Sequence, residues 1–283
     1  MSATTPASMP PPTPSAAPPA TRRPGSALAG FFIDLGIGVG VLLSLSIFSG
    51  VIWGLYRGVM LTREATARGE AAASATQFAE LIGQPGALAQ ILMALVATGG
   101  SALVLYFFRR RALPAERAAS FQAARRGSTW GWTLLVATGV VIGSNLIAWL
   151  AKQAGVEPVP TNLPLMQQAL AHFPWFLAVF AVVLAPAYEE LLFRRVLFGR
   201  LWKAGRPVLG MVLSSLAFAL VHELPGTSGN GALEIAQLWL VYGGMGAAFA
   251  WLYQRTGTLW APIFAHGLNN AVALAALVFL GVH

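Results

Sequence analysis

The sequence predicts an all-α fold, a polytopic helical membrane protein with seven to eight transmembrane helices, and three observations predict it. Hydrophobic residues make up 56% of the 283, charged residues only 10%, and mean hydropathy is +0.65, far from the balance of a water-soluble domain. Apolar runs close to the ~20 residues needed to cross a bilayer recur along the chain. None of them shows the period-two alternation of a membrane β-barrel.

Residues 1–26 read as a disordered cytoplasmic tail, because eight of the 18 prolines fall in the first 24 residues among Ala, Ser and Thr, a composition that cannot bury a core. No charged start followed by a short apolar stretch marks a signal peptide, so the first apolar segment is expected to stay in the membrane. The expected spans run from Phe31 to Leu55, Ala87 to Phe108, Trp130 to Leu150, Pro174 to Phe198, Pro207 to His222, Ile235 to Tyr253 and Leu259 to Leu280. An eighth forms if Ala65 to Leu81 embeds. Two blocks follow from this pattern: 27–129, with the first helices and a basic loop, and 130–283, where the intramembrane ionisable residues concentrate.

Arg109, Arg110, Arg111, Arg117, Arg125 and Arg126 occupy one loop, Arg200, Lys203 and Arg206 follow the fourth span, and the loop between carries only Lys152. With Arg22, Arg23 and Arg255 added to that basic side, the positive-inside rule puts the N-terminus in the cytoplasm and leaves Arg57, Arg63, Arg68 and Lys152 outside. Topology thus accounts for the net charge of +8. No basic-and-aromatic motif accompanies the charge, so nucleic acid is excluded as a partner and the lipid bilayer takes its place. An Ala- and Arg-rich, Lys-poor composition fits a bacterial inner-membrane protein. Gly50 and Gly54, Gly139 and Gly143, and Gly243, Gly244 and Gly246 have the small-residue spacing of close helix packing. Trp130, Trp132, Trp175 and Trp260 read as interfacial anchors.

The absence of cysteine excludes disulfides, thiolate zinc and cysteine nucleophiles, so a metal would need His, carboxylate or carbonyl ligands. Ionisable groups inside a span are costly and mark function. Glu189, Glu190 and Arg194 lie in the fourth span, His222 ends the fifth, and His266, Asn269 and Asn270 lie in the seventh. Glu190 and Arg194 share one helix face, Glu189 points about 100° away, and His266 and Asn270 are one turn apart. Measured from the turn at Ala204 and Gly205, Glu189 and His222 both lie roughly 23 Å up their helices, and His266 lies roughly 16 Å above Arg255. The spacing therefore predicts one polar site within the membrane, open to the cytoplasmic side. Pro186 and Pro262 either kink their helices or mark first turns. Asp34 is expected to be an interfacial or packing acid and Asn145 interhelical glue, while His172 and His283 fall outside the spans.

Two carboxylates, two imidazoles and an amide supply a general base, metal ligands and an oxyanion donor, the parts of metal-assisted or base-assisted peptide hydrolysis. One Glu with His222 and His266 matches the two-His-one-Glu set of catalytic zinc, leaving the other Glu to activate water. Ser214 and Ser215 are two turns from His222, too far to be its nucleophile. His222-Glu223 begins like a His-Glu-x-x-His zinc helix, but Gly226 holds the second histidine's place.

The strings Glu189-Glu190-x-x-x-Arg194, Phe218-x-x-x-His222 and His266-x-x-x-Asn270, in order on three spans, resemble the CAAX-processing and bacteriocin-processing (CPBP) family of intramembrane endopeptidases. The resemblance covers Trp130 to the C-terminus. It implies that Glu189 activates water, that Glu190 supports it or joins His222 and His266 in holding a divalent metal, zinc first, and that Asn270 stabilises the oxyanion. Arg194 would orient Glu190 or bind substrate. The implied substrate is a membrane-associated peptide or protein, CAAX-like or bacteriocin-like. Arg195, where many relatives have Gly, and Glu223, where an apolar residue is common, depart from the pattern and bear on substrate access or metal affinity. Two other classes fit the same polar cluster: a non-catalytic bacteriocin-immunity or scaffold protein, and a small transporter relaying protons through the glutamates and histidines.

Overall fold

The computed structural model describes residues 24–69 and 74–281, so residues 1–23 of the expected tail, with Arg22 and Arg23, and His283 lie outside the described residues, while 24–26, expected in the tail, begin the first helix. The described residues form ten helices and no strand: α1 (Pro24–Ala67), α2 (Ala75–Ile82), α3 (Ala87–Arg109), α4 (Pro114–Ala124), α5 (Gly127–Gln153), α6 (Leu163–His172), α7 (Pro174–Trp202), α8 (Pro207–His222), α9 (Ala232–Thr256) and α10 (Trp260–Leu280). Six of these, α1, α3, α5, α7, α9 and α10, are long and apolar enough to cross a membrane, and α8 is a shorter apolar helix. The chain is a polytopic helical membrane protein.

All seven expected spans coincide with helices, most of them longer at one end or both. α1 continues to Ala67, which at 1.5 Å per residue is roughly 65 Å and far exceeds a bilayer core. Ala65 to Leu81 forms no eighth span: α1 ends inside it, and α2 is eight residues long. Phe78 of α2 lies against Gly58 on α1. α6 carries no span pattern in the sequence and packs Ala169 with Ala87 and Ile91 of α3 and Leu177 and Ala181 of α7. The basic loop contains α4, started by Pro114 and by Glu116 accepting the Leu113 backbone N–H at 2.9 Å, as acidic side chains do in a first turn.

The core centres on the second half of α7. Val196, Leu197 and Leu201 are buried and pack with Phe31 of α1, Leu105 of α3, Phe218 of α8, and Phe249 and Leu252 of α9. Ile33, Leu43, Ile47, Phe48 and Val51 on α1 are instead exposed, as expected of side chains that face lipid, since every backbone group is bonded within its own helix. Asp34 is fully buried and receives Arg109 Nε at 3.0 Å and Arg200 Nε at 2.7 Å. It is a packing acid that joins α1, α3 and α7.

The expected glycine contacts are mostly not made. Cβ atoms placed at Gly50, Gly54, Gly139, Gly143, Gly243 or Gly244 would meet nothing within 4 Å, whereas one at Gly246 would lie 3.1 Å from Ser215. Small-residue spacing permits close approach, but only the face turned to a neighbouring helix uses it. Asn145, expected as interhelical glue, bonds the Val141 carbonyl of its own helix at 2.8 Å.

Candidate active site

Proline shapes the backbone that carries the glutamates. α7 runs without a break through Pro186, and a wide π turn at Phe180–Leu184 precedes it, so Pro186 sits inside a helix. Pro262 lies in the first turn of α10. In the π turn the Ala185 N–H bonds Phe180 O, and Pro186, next in that register, has no N–H to offer Ala181 O. Asn270 supplies the missing donor, its Nδ2 giving a 2.9 Å bond to Ala181 O. One turn away, a Cβ at Gly267 would fall 2.5 Å from Val182 O. The π turn and the glycine thus let α10 lie directly on α7 and bring His266 beside the glutamates. Gly267 has no role in the sequence reading, although a glycine inside a helical pattern is itself a signal of close approach.

The adjacent glutamates occupy different surroundings. Glu190 is fully buried, with Oε2 2.9 Å from Arg194 Nε and Oε1 3.0 Å from His266 Nδ1. Arg194, 1% exposed, lies over Phe218 and Phe249 at 4.7 and 5.4 Å from the ring centroids and donates to Gly246 O at 3.4 Å. Its ion pair and aromatic box account for a charge buried at this depth. Enclosed in this way, the Arg194 guanidinium is turned to Glu190 and shielded from solvent.

Glu189 points elsewhere. Its Oε2 is buried without a hydrogen-bond partner and lies 3.7 Å from His222 Nε2 and 3.8 Å from His266 Nε2. Both separations are too long for direct hydrogen bonds. Each ring is fixed by its other nitrogen. His222 Nδ1 lies 2.8 Å from Phe218 O, and a carbonyl only accepts, so Nδ1 carries the hydrogen and Nε2 of the neutral ring presents its lone pair. Ion-paired Glu190 imposes the same tautomer on His266. Phe218 and Tyr242 lie tilted against the His222 ring at 4.2 and 4.7 Å between centroids, and Phe249 stacks on His266 at 5.2 Å. Tyr242 and Phe249 carry no motif signal, and only packing reveals them.

Glu189, His222 and His266 therefore come together, with Glu190 and Arg194 behind them and Asn270 bracing the backbone. The metal set expected from the sequence, Glu190 with His222 and His266, is not assembled. Both Glu190 oxygens are committed to Arg194 and His266, and among the described residues no three His, Asp or Glu side chains are arranged to hold a metal ion.

Glu223, just past His222, is fully buried and faces outward from this group. Its carboxylate accepts from Thr161 Oγ1 at 2.7 Å, Ser228 Oγ at 2.5 Å and Asn230 Nδ2 at 3.1 Å. Burial pushes this carboxyl up, and the hydrogen bonds outweigh it to hold it below its ordinary value. The departure at Glu223 is thus a clamp between two loops.

The model of the family described as Rce1-like, Type II CAAX prenyl endopeptidase Rce1-like, matches residues 171–272, which contain every site residue named above. YdiL of Bacillus subtilis, which carries a membrane-peptidase name, is 33% identical over 116 residues, 41% of this chain and 43% of that protein. The membrane-embedded CAAX protease MroQ of Staphylococcus aureus is 32% identical over 146 residues, 49% of this chain and 54% of that one. The chain spans about half the length of these curated relatives. No solved structure matches it. Over residues 171–272 the chain is similar to the Rce1-like family.

Proposed function

We propose that this protein is an intramembrane endopeptidase that hydrolyses a peptide bond in a membrane-associated peptide or protein, CAAX-like or bacteriocin-like, at the bacterial inner membrane. The observation that carries the reading is the buried, unpartnered Glu189 Oε2 facing two Nε2 lone pairs. A water held there gives a proton to Glu189 as its oxygen attacks the scissile carbonyl. His222 Nε2 takes that proton from Glu189 and delivers it to the nitrogen of the leaving amine as the C–N bond breaks, which restores the Glu189 carboxylate. His266 is held by Glu190, and Glu190 by Arg194, so the base keeps its aim. Asn270 keeps a second N–H beyond the one given to Ala181, and an oxyanion role would use it. The basic loops and the depth of the site support entry from the cytoplasmic side.

Quantitative mapping of peptide termini in membranes from cells expressing the wild type or Glu189→Ala tests the proposal. Termini present only with the wild type are expected. Identical maps at equal expression would leave an immunity or scaffold protein, and flux of protons in liposomes abolished by Glu189→Gln would leave a transporter.

A zinc reading would start from the two Nε2 atoms that lie 3.7 and 3.8 Å from Glu189 Oε2, although these side chains are not arranged here to hold an ion. Glu189, His222 and His266 would be the holders, after rearrangement. Turnover is expected to survive exhaustive chelation, and a loss reversed by zinc would assign these residues to a metal.

A further inference from the structure

On the basic face of the bundle a cavity is lined by Arg109, Arg110, Arg111, Leu113, Glu116, Arg195 and Lys203, and by neither Glu189 nor Glu190. It forms where the end of α3 turns into α4 beside the last turns of α7. Five cations meet there. The acids nearby are Glu116, which takes Arg195 Nη2 at 2.5 Å and Lys203 Nζ, and Asp34, which takes Arg109. Even without Arg110, the four cations Arg109, Arg111, Arg195 and Lys203 outnumber these two acids. Arg111 lies 5.8 Å over the Phe107 ring. Leu113, which lines the cavity, is 64% exposed, and Phe107 and Phe108, in the last turn of α3 just before the lining arginines, are 53 and 83% exposed. A cationic hollow rimmed by outward-facing apolar side chains at the end of a spanning helix matches an anion that carries acyl chains.

We propose that this cavity binds the phosphate of an anionic phospholipid in the adjacent leaflet, with its acyl chains lying along Phe107, Phe108 and Leu113. The shared chemistry is a phosphate anion, and the apolar rim selects the lipid over a soluble phosphate. Arg195 takes part directly, so the motif departure at this position belongs to a lipid site on the same helix as the glutamates. The proposal does not depend on the hydrolytic reading, because lipid retention is measured without turnover.

The full chain, released from vesicles of mixed phosphatidylcholine and phosphatidylglycerol, would be examined by native mass spectrometry for retained lipid. The wild type is expected to keep phosphatidylglycerol in preference to phosphatidylcholine. Arg111→Gln with Lys203→Gln should weaken that retention about thirtyfold, each interfacial cation being worth roughly a factor of five. Arg63→Gln with Lys152→Gln removes the same charge elsewhere and should change nothing. Equal retention by the cavity variant and the wild type would overturn the proposal, as would glycerol phosphate competing as strongly as the lipid. If the cavity variant fails to insert, photo-crosslinking of the wild type with a headgroup-labelled phosphatidylglycerol decides the matter. Adducts on 107–116 and 195–203 support the site, and adducts confined to other segments overturn it.

Discussion

Glu189 and Glu190 are neighbours in sequence with opposite environments, and single substitutions should separate them. Glu189→Gln keeps the volume and removes a base that has no ion-pair partner of its own, so it should abolish cleavage and leave the thermal midpoint close to that of the wild type. Glu190→Gln leaves Arg194 buried without a counter-charge, a defect that costs about 3–5 kcal/mol. Thermal unfolding of both variants in detergent checks this, and a Glu189→Gln protein as unstable as Glu190→Gln would refute the division of roles. Loss of activity alone would not distinguish them, since misplacing His266 also stops the reaction.

At the scale of elements, the site depends on how closely α10 approaches α7. Gly267→Ala sets a methyl group against Val182 O and must push the helices apart, and a displacement of His266 by about an ångström should lower turnover roughly a hundredfold. Gly143→Ala, at a position open on all sides, is the control and should leave rate and midpoint unchanged. A Gly267→Ala enzyme of normal rate would show that the packing tolerates the methyl and that His266 needs no such contact. α4 is held to α7 by Glu116. Burial raises its carboxyl, but Arg195, Lys203 and the Leu113 N–H outweigh it and bring the value from 4.5 to about 2. A depressed folded-state value means that the stabilisation is complete above about 4.5 and disappears as the pH falls through about 2. Hydrogen exchange in α4 should therefore stay slow at pH 4 and rise only in stronger acid, and release near pH 4.5 would contradict the pairing.

For the whole molecule, hydropathy made the spans legible because each helix must be apolar for about 20 residues whatever surrounds it. The same rule explains why α2 and α6 were not legible: a helix too short to span carries no such constraint. The three motifs were visible for a related reason, since an ionisable group in a span stands out against its apolar neighbours. Helix spacing put Glu190 with Arg194 and turned Glu189 away, and both relations hold in the fold. It gave no means of deciding which glutamate meets which histidine. That pairing depends on the π turn before Pro186, on Gly267 against Val182 and on the rings of Phe218, Phe249 and Tyr242. The sequence by itself determined the class of fold, the spans and the residue types available for chemistry, because these follow from local periodicity and from the cost of burying polar groups in lipid. Only the tertiary structure decided that Glu189 faces both histidines and that Glu190 is the fully buried partner of Arg194, because that choice rests on distances between helices far apart in the chain, and no local pattern encodes them.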